Sequence, residues 1–91
     1  KGGVFRTPPI FLRSEYLVMI EVRLFATLRE GRGKIVMLEP ENFPDAGSII
    51  AHLNIPAEEV AILLINGFHK KPHDTVKDGD VVALFPPVGG G

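Results

Sequence analysis

Helical periodicity occurs only once in this chain. Ala46, Ile49, Ile50 and Leu53 recur at three- and four-residue spacing, Asp45 is placed to cap the first turn, and Asn54 and Pro56 close the last. The other patterned stretches read as strands. One helix covers one face of one sheet, so a chain of 91 residues built around it is held to a two-layer α+β domain with a mixed sheet.

Ile20-Glu21-Val22-Arg23-Leu24 alternates apolar and charged residues, as a half-buried strand does. A hairpin loop at Glu30–Gly33 leads to a second strand over Lys34–Glu39, and Pro40 and Pro44 bracket the passage into the helix. Val60–Ile65 is an almost wholly apolar third strand. Asn66-Gly67 is a tight-turn pair, so Phe68–Lys70 folds back as a short fourth strand. The turn Lys77-Asp78-Gly79-Asp80 feeds the last strand, Asp80–Phe85, and Pro86 and Pro87 end it because they lack the N–H a ladder needs. The first and last strands are expected side by side, with the tail projecting from the edge of the sheet. Residues 1–18 show no sustained period and are read as an irregular, dispensable N-terminal extension. Residues 19–87 are read as the domain and residues 88–91 as a flexible glycine tail.

A single helix leaves the second face of the sheet uncovered, and such a face is ordinarily polar. The first strand complies, with Ile20, Val22 and Leu24 on one side and Glu21 and Arg23 on the other. Ala61–Ile65 and Val81–Phe85 do not, being apolar at both parities. The favoured expectation is an exposed apolar patch that meets a partner, ahead of a cover of loops.

Composition narrows the chemistry. The absence of cysteine removes a disulfide framework, a zinc–thiolate site, a thiol nucleophile and a side-chain persulfide. Ten basic against eleven acidic residues leave a net charge of −1, which argues against a nucleic-acid partner. No apolar run has transmembrane length and the head of the chain lacks a secretory layout. No membrane association and a cytoplasmic location are therefore expected.

His69 and His73 are four apart beside Asp74, but Pro72 places them in a turn, where that spacing brings no two ligands together. They and His52 are read as surface histidines, and no metal site is expected. Gly31-Arg32-Gly33-Lys34 lacks the Ser or Thr and the following helix of a phosphate loop, and reads as a hairpin connection. Lys70-Lys71, with Lys77 nearby, is a small basic patch that at most docks an acidic partner. Ser14, Ser48 and the histidines assemble no catalytic triad.

The tail remains. Phe85-Pro86-Pro87-Val88 runs directly into Gly89-Gly90-Gly91. Val22-Arg23-Leu24-Phe25-Ala26 followed by Leu28-Arg29-Glu30, then Ile65-Asn66-Gly67, then Lys77-Asp78-Gly79-Asp80-Val81, stand in order before it. From Met19 to Gly91 this ordered set resembles the MoaD/ThiS sulfur-carrier family, and most of all the small subunits of molybdopterin synthase. The three-glycine end is more usual in thiazole-pathway carriers, and Phe43–Ser48 departs from the usual helix entry. The resemblance implies a ubiquitin-like β-grasp fold and a carrier subunit rather than an enzyme, with no bound cofactor.

It also implies that Gly91, preceded by Gly90, is adenylated by a ubiquitin-activating-like enzyme that uses ATP, and then converted to a thiocarboxylate by a sulfur donor enzyme. The acceptor would be the molybdopterin or tungsten-pterin precursor, held by the large catalytic subunit of molybdopterin synthase or its equivalent. Phe25, Phe68, Phe85, Pro86, Pro87, Val88 and Gly89 are the residues expected to meet these partners. Carriers for thiazole or sulfur amino acid synthesis, a protein modifier conjugated through Gly91, and a plain interaction module are the alternatives.

Overall fold

The alternating stretch becomes β1 (Ile20–Leu24) in the computed structural model, which describes residues 19–87. Ile20, Val22 and Leu24 are buried, and the residues between them turn to the other face. The extension before Met19 and the glycine tail lie outside the described residues. β2 (Ile35–Leu38) runs antiparallel to β1, with Ile20 opposite Leu38 and Arg23 opposite Ile35. The helix follows as α1 (Ala46–His52). Asp45 takes an extended backbone at its head, and its carboxylate accepts the Ser48 N–H at 2.8 Å, satisfying a donor that the first turn leaves free. Asn54, with φ at 58°, ends it in the left-handed region that asparagine tolerates.

β3 (Ile62–Ile65), β4 (Phe68–His69) and β5 (Val81–Phe85) complete a five-stranded sheet in the order β2-β1-β5-β3-β4. β5 is parallel to β1 and antiparallel to β3. The expected neighbourhood of first and last strands is present, but β5 is the middle strand of five. The chain therefore leaves the sheet from the end of an interior strand and not from its edge. β2 already occupies the outer flank of β1, so β5 can pair with β1 only on the inner flank, where β3 closes its other side.

Between helix and sheet, Val22, Leu24, Ile49, Val82 and Leu84 form the centre of the core. Leu28 reaches it from a 3-10 turn at Ala26–Arg29 that the sequence pattern does not announce. Two further 3-10 turns, Pro40–Asn42 and Ala57–Glu59, occupy the passages before and after α1.

A second unannounced feature lies in the glycine-flanked loop between β1 and β2. Arg32 Nε donates to the Leu53 carbonyl at 2.9 Å, and its terminal nitrogens reach the Asn54 and Leu28 carbonyls at 3.2 and 3.1 Å. The guanidinium thus satisfies carbonyls at the C-terminal end of α1 and is committed to the fold.

The tight turn is of type I′, with φ of 54° at Asn66 and 85° at Gly67. Asn66 also locks the hairpin to β5. Its side-chain amide donates to Asp80 Oδ1 at 2.9 Å, and its side-chain oxygen accepts the Val81 N–H at 3.0 Å. The second Asp80 oxygen accepts the Lys77 N–H at 2.9 Å, and the carboxylate is buried. Asp80→Ala strands two donors at once, so urea unfolding should show a loss of about 2–3 kcal/mol.

Candidate functional site

β-Strand register decides what lies on the uncovered face. Residues opposite one another share a side, and Glu21 pairs with Val81, Arg23 with Ala83, and Ile62 with Phe85. The face away from α1 therefore carries Ile35 and Met37 of β2, Ile62 and Leu64 of β3, and Val81, Ala83 and Phe85 of β5. Ile35 is 55% and Ile62 40% exposed, and no described loop covers them. The Glu21–Arg23 ion pair sits among them. An apolar sheet face open to solvent is thus present where the strand parities placed it.

At the end of this face β1 and β5 finish together. Phe25 N–H donates to the Leu84 carbonyl at 3.2 Å, which brings the Phe25 and Phe85 rings into a parallel stack with centroids 4.2 Å apart. Arg29 lies over the Phe25 ring at 5.5 Å from its centroid, and its Nε donates to the Leu24 carbonyl at 2.9 Å. The 3-10 turn makes this possible by folding Arg29 back over the residue that starts it. The stack gives the root of the tail a rigid base, since both rings are held by backbone bonds and one also by the guanidinium.

Phe25 and Phe85, two of the residues expected to meet partners, stand together in this stack. Pro86 and Pro87 continue from the stack and line a shallow depression with Thr27, Glu30, Arg32 and Glu59. Phe68 is not part of the group. It stands opposite Ile65 on the helix side of the sheet, in the strand farthest from β2, and is 69% exposed there. Val88, Gly89, Gly90 and Gly91 lie outside the described residues. Arg29 was missed by sequence reasoning. Its only mark in the sequence is a position within the opening motif, with nothing to show that it folds back.

His52 packs edge-on against Phe43 at 4.9 Å, while His69 and His73 are exposed. Among the described residues no group of three or more His, Cys, Asp or Glu side chains comes together to hold a metal ion. None of the described helices is long and apolar enough to cross a membrane.

The chain matches the ThiS family from residue 22 to residue 91, which takes in the second half of the opening strand, the aromatic stack and the whole glycine tail. This chain belongs to the ThiS family. Small archaeal modifier protein 1 of Haloferax volcanii is similar in structure, with a TM-score of 0.63 and 26% identity over 80% of this chain and 99% of that one. A chain in the Helicobacter pylori complex of subunits 1 and 2 of molybdopterin-converting factor is also 26% identical, with a TM-score of 0.55 over 80% of this chain and 99% of that one. No curated protein matches the chain. The architecture of this ThiS-family protein is the ubiquitin-like β-grasp, seen among the described residues as a mixed five-stranded sheet with one α-helix on one face. It is a small carrier or modifier of the ThiS/MoaD kind, and the similar Helicobacter pylori chain is one subunit of a two-subunit complex.

Proposed function

We propose that this ThiS-family protein carries sulfur for molybdopterin or tungsten-pterin assembly as a thiocarboxylate on Gly91. The observation that carries the reading is the family match running unbroken through the aromatic stack and the tail to residue 91. The likeness to a chain of a two-subunit molybdopterin-converting factor supports the pathway.

A terminal carboxylate is anionic at neutral pH and a poor electrophile, so it must be activated. Its oxygen attacks the α-phosphorus of ATP on an adenylating partner, pyrophosphate leaves, and an acyl-adenylate results. Hydrosulfide released by a donor enzyme attacks the acyl carbon, AMP and a proton leave, and a thiocarboxylate remains. That sulfur then attacks a carbon of the pterin precursor on the large subunit, where a C–S bond forms as a C–O bond breaks and the oxygen leaves with a proton. Water cleaves the resulting thioester, leaving the sulfur on the acceptor and restoring the carboxylate. The bases and oxyanion donors for these steps belong to the partners. This chain contributes the substrate group, a glycine approach with no Cβ to obstruct a narrow channel, and an apolar face whose burial offsets the cost of ordering the tail.

Likeness to small archaeal modifier protein 1 favours a second reading, conjugation of Gly91 to lysines of other proteins. Both readings share the adenylate and diverge afterwards. Incubation with ATP, a sulfide source and an adenylating enzyme should replace oxygen by sulfur at Gly91. Alkylation and peptide mass analysis separate this from oxidation of Met19 or Met37. An isopeptide remnant on other proteins, without thiocarboxylate, would favour the modifier. Neither product, with an enzyme active on another carrier, would overturn both.

A further inference from the structure

Lys70 and Lys71 play no role in the tail site, and they edge a groove on the other side of the sheet. α1 and β3 separate beyond the short β4 and leave a channel floored by Ile50, Ile55 and Leu63, with Val60 at its far end. Its helical wall is kept low by Gly47 and Ala51. The close approach at one end is fixed by the Gly47 N–H, which donates to the Pro72 carbonyl at 2.7 Å.

The charged residues that line this channel are both basic. Lys70 and Lys71 are exposed on its rim, flanked by His69 and His73. The acids at that end are turned to backbone donors, Asp74 to the Lys71 N–H at 2.7 Å and Asp45, beside Gly47, to the Ser48 N–H at 2.8 Å, and among the described residues neither ammonium is in an ion pair. Glu58 and Glu59 sit at the opposite end, beyond Ala57 and Val60.

We infer that this groove docks an apolar segment of a partner protein whose acidic side chains meet Lys70 and Lys71. Charge complementarity sets the occupant's chemistry, because two unpaired ammonium groups at the mouth of an apolar channel select for carboxylates and against cations. The chain's own residues 1–18 carry Lys1, Arg6 and Arg13 against one acid, Glu15, so they are the wrong sign for that end. The groove lies on the face opposite the Phe25–Phe85 stack, so it can be filled while the tail face is engaged. Its far end reaches Val60, next to the Glu59 that lines the tail-root depression. Nothing in this inference depends on what chemistry the tail performs.

The test uses the full 91-residue chain, labelled with nitrogen-15, and a capped twelve-residue peptide of alternating leucine and glutamate. Saturable shifts are expected at the amides of Gly47, Ala51, Val60, Lys70 and Lys71, and not at Met37 or Ala83. Lys70→Glu with Lys71→Glu should weaken the peptide about tenfold, and Ala51→Glu should weaken it as well. The matching leucine–lysine peptide should give no saturation. Shifts confined to the Met37–Ala83 face, no saturable shifts, or equal binding of the lysine peptide would each overturn the inference. So would movement of the groove amides on removing residues 1–18, or on raising the concentration of peptide-free protein, since the occupant would then be the chain itself.

Discussion

Deleting Gly90 and Gly91 should abolish thiocarboxylate formation outright while leaving the unfolding transition where it is. Every described core residue lies between Ile20 and Leu84, so the domain's cohesion is complete before the tail begins. The reacting group, by contrast, is displaced by two residues. It would then sit on Gly89, about 7 Å short of where a partner's adenylate site expects it at an extended rise of about 3.3–3.6 Å per residue. Misplacement of that order removes the near-attack geometry on which acyl transfer depends. The measurement is peptide mass after incubation with ATP, sulfide and adenylating enzyme, beside urea unfolding of both forms. A deleted form that retained function in its pathway would mark the protein as a plain interaction module.

Phe85→Asp should weaken binding to the adenylating enzyme about a hundredfold and leave a folded protein. The Phe85 ring is stacked on Phe25 at the root of the tail, on the same face as Ile62 and Val81, where an anchor would be most fully dried on docking. A carboxylate there would have to be desolvated without a partner, which is where a loss of roughly 3 kcal/mol in affinity arises. Folding suffers less. The strand keeps its backbone bond from Ala61 N–H to the Phe85 carbonyl at 2.8 Å, and the lost stacking costs about 0.5–1.5 kcal/mol. Calorimetric titration of the folded variant, with Phe85→Leu as the milder control, checks this. Unchanged affinity would remove the aromatic stack from the docking surface.

Local chemistry explains which features of this architecture could be read from the chain. Asp45 caps α1, Asn66-Gly67 turns the hairpin, and Ile20–Leu24 alternates because in each case the deciding contacts lie within a few residues. The open apolar face was legible too, since parity alone assigns Ala83 and Phe85 to the side away from the helix. What escaped depends on distance along the chain. Arg32 bonds to Leu53, the residue that closes the helix 21 positions later, and no local pattern distinguishes it from any loop arginine. Ala26 takes a φ of 54° without being glycine or asparagine, so the 3-10 turn that folds Arg29 over Phe25 carries no turn signal. From the sequence, Phe68 is expected to meet partners beside Phe25 and Phe85, but the two-residue turn sets its register against Ile65 and sends it to the helix side. The middle position of β5 follows from how the strands assemble, which no single segment contains.

The placement of β5 has a mechanical corollary. The strand is bonded along both flanks, to β1 and to β3, and the tail continues from its C-terminal end. Tension on the tail acts along the strand and across its ladder bonds, so both rows must slide together before the strand can yield. Pulling from β2 or β4, at the borders of the sheet, would peel away a single row bond by bond. A partner that draws the tail deep into a channel, or a protein-unwinding motor that seizes it, therefore loads the domain in shear, the direction in which it tears least readily.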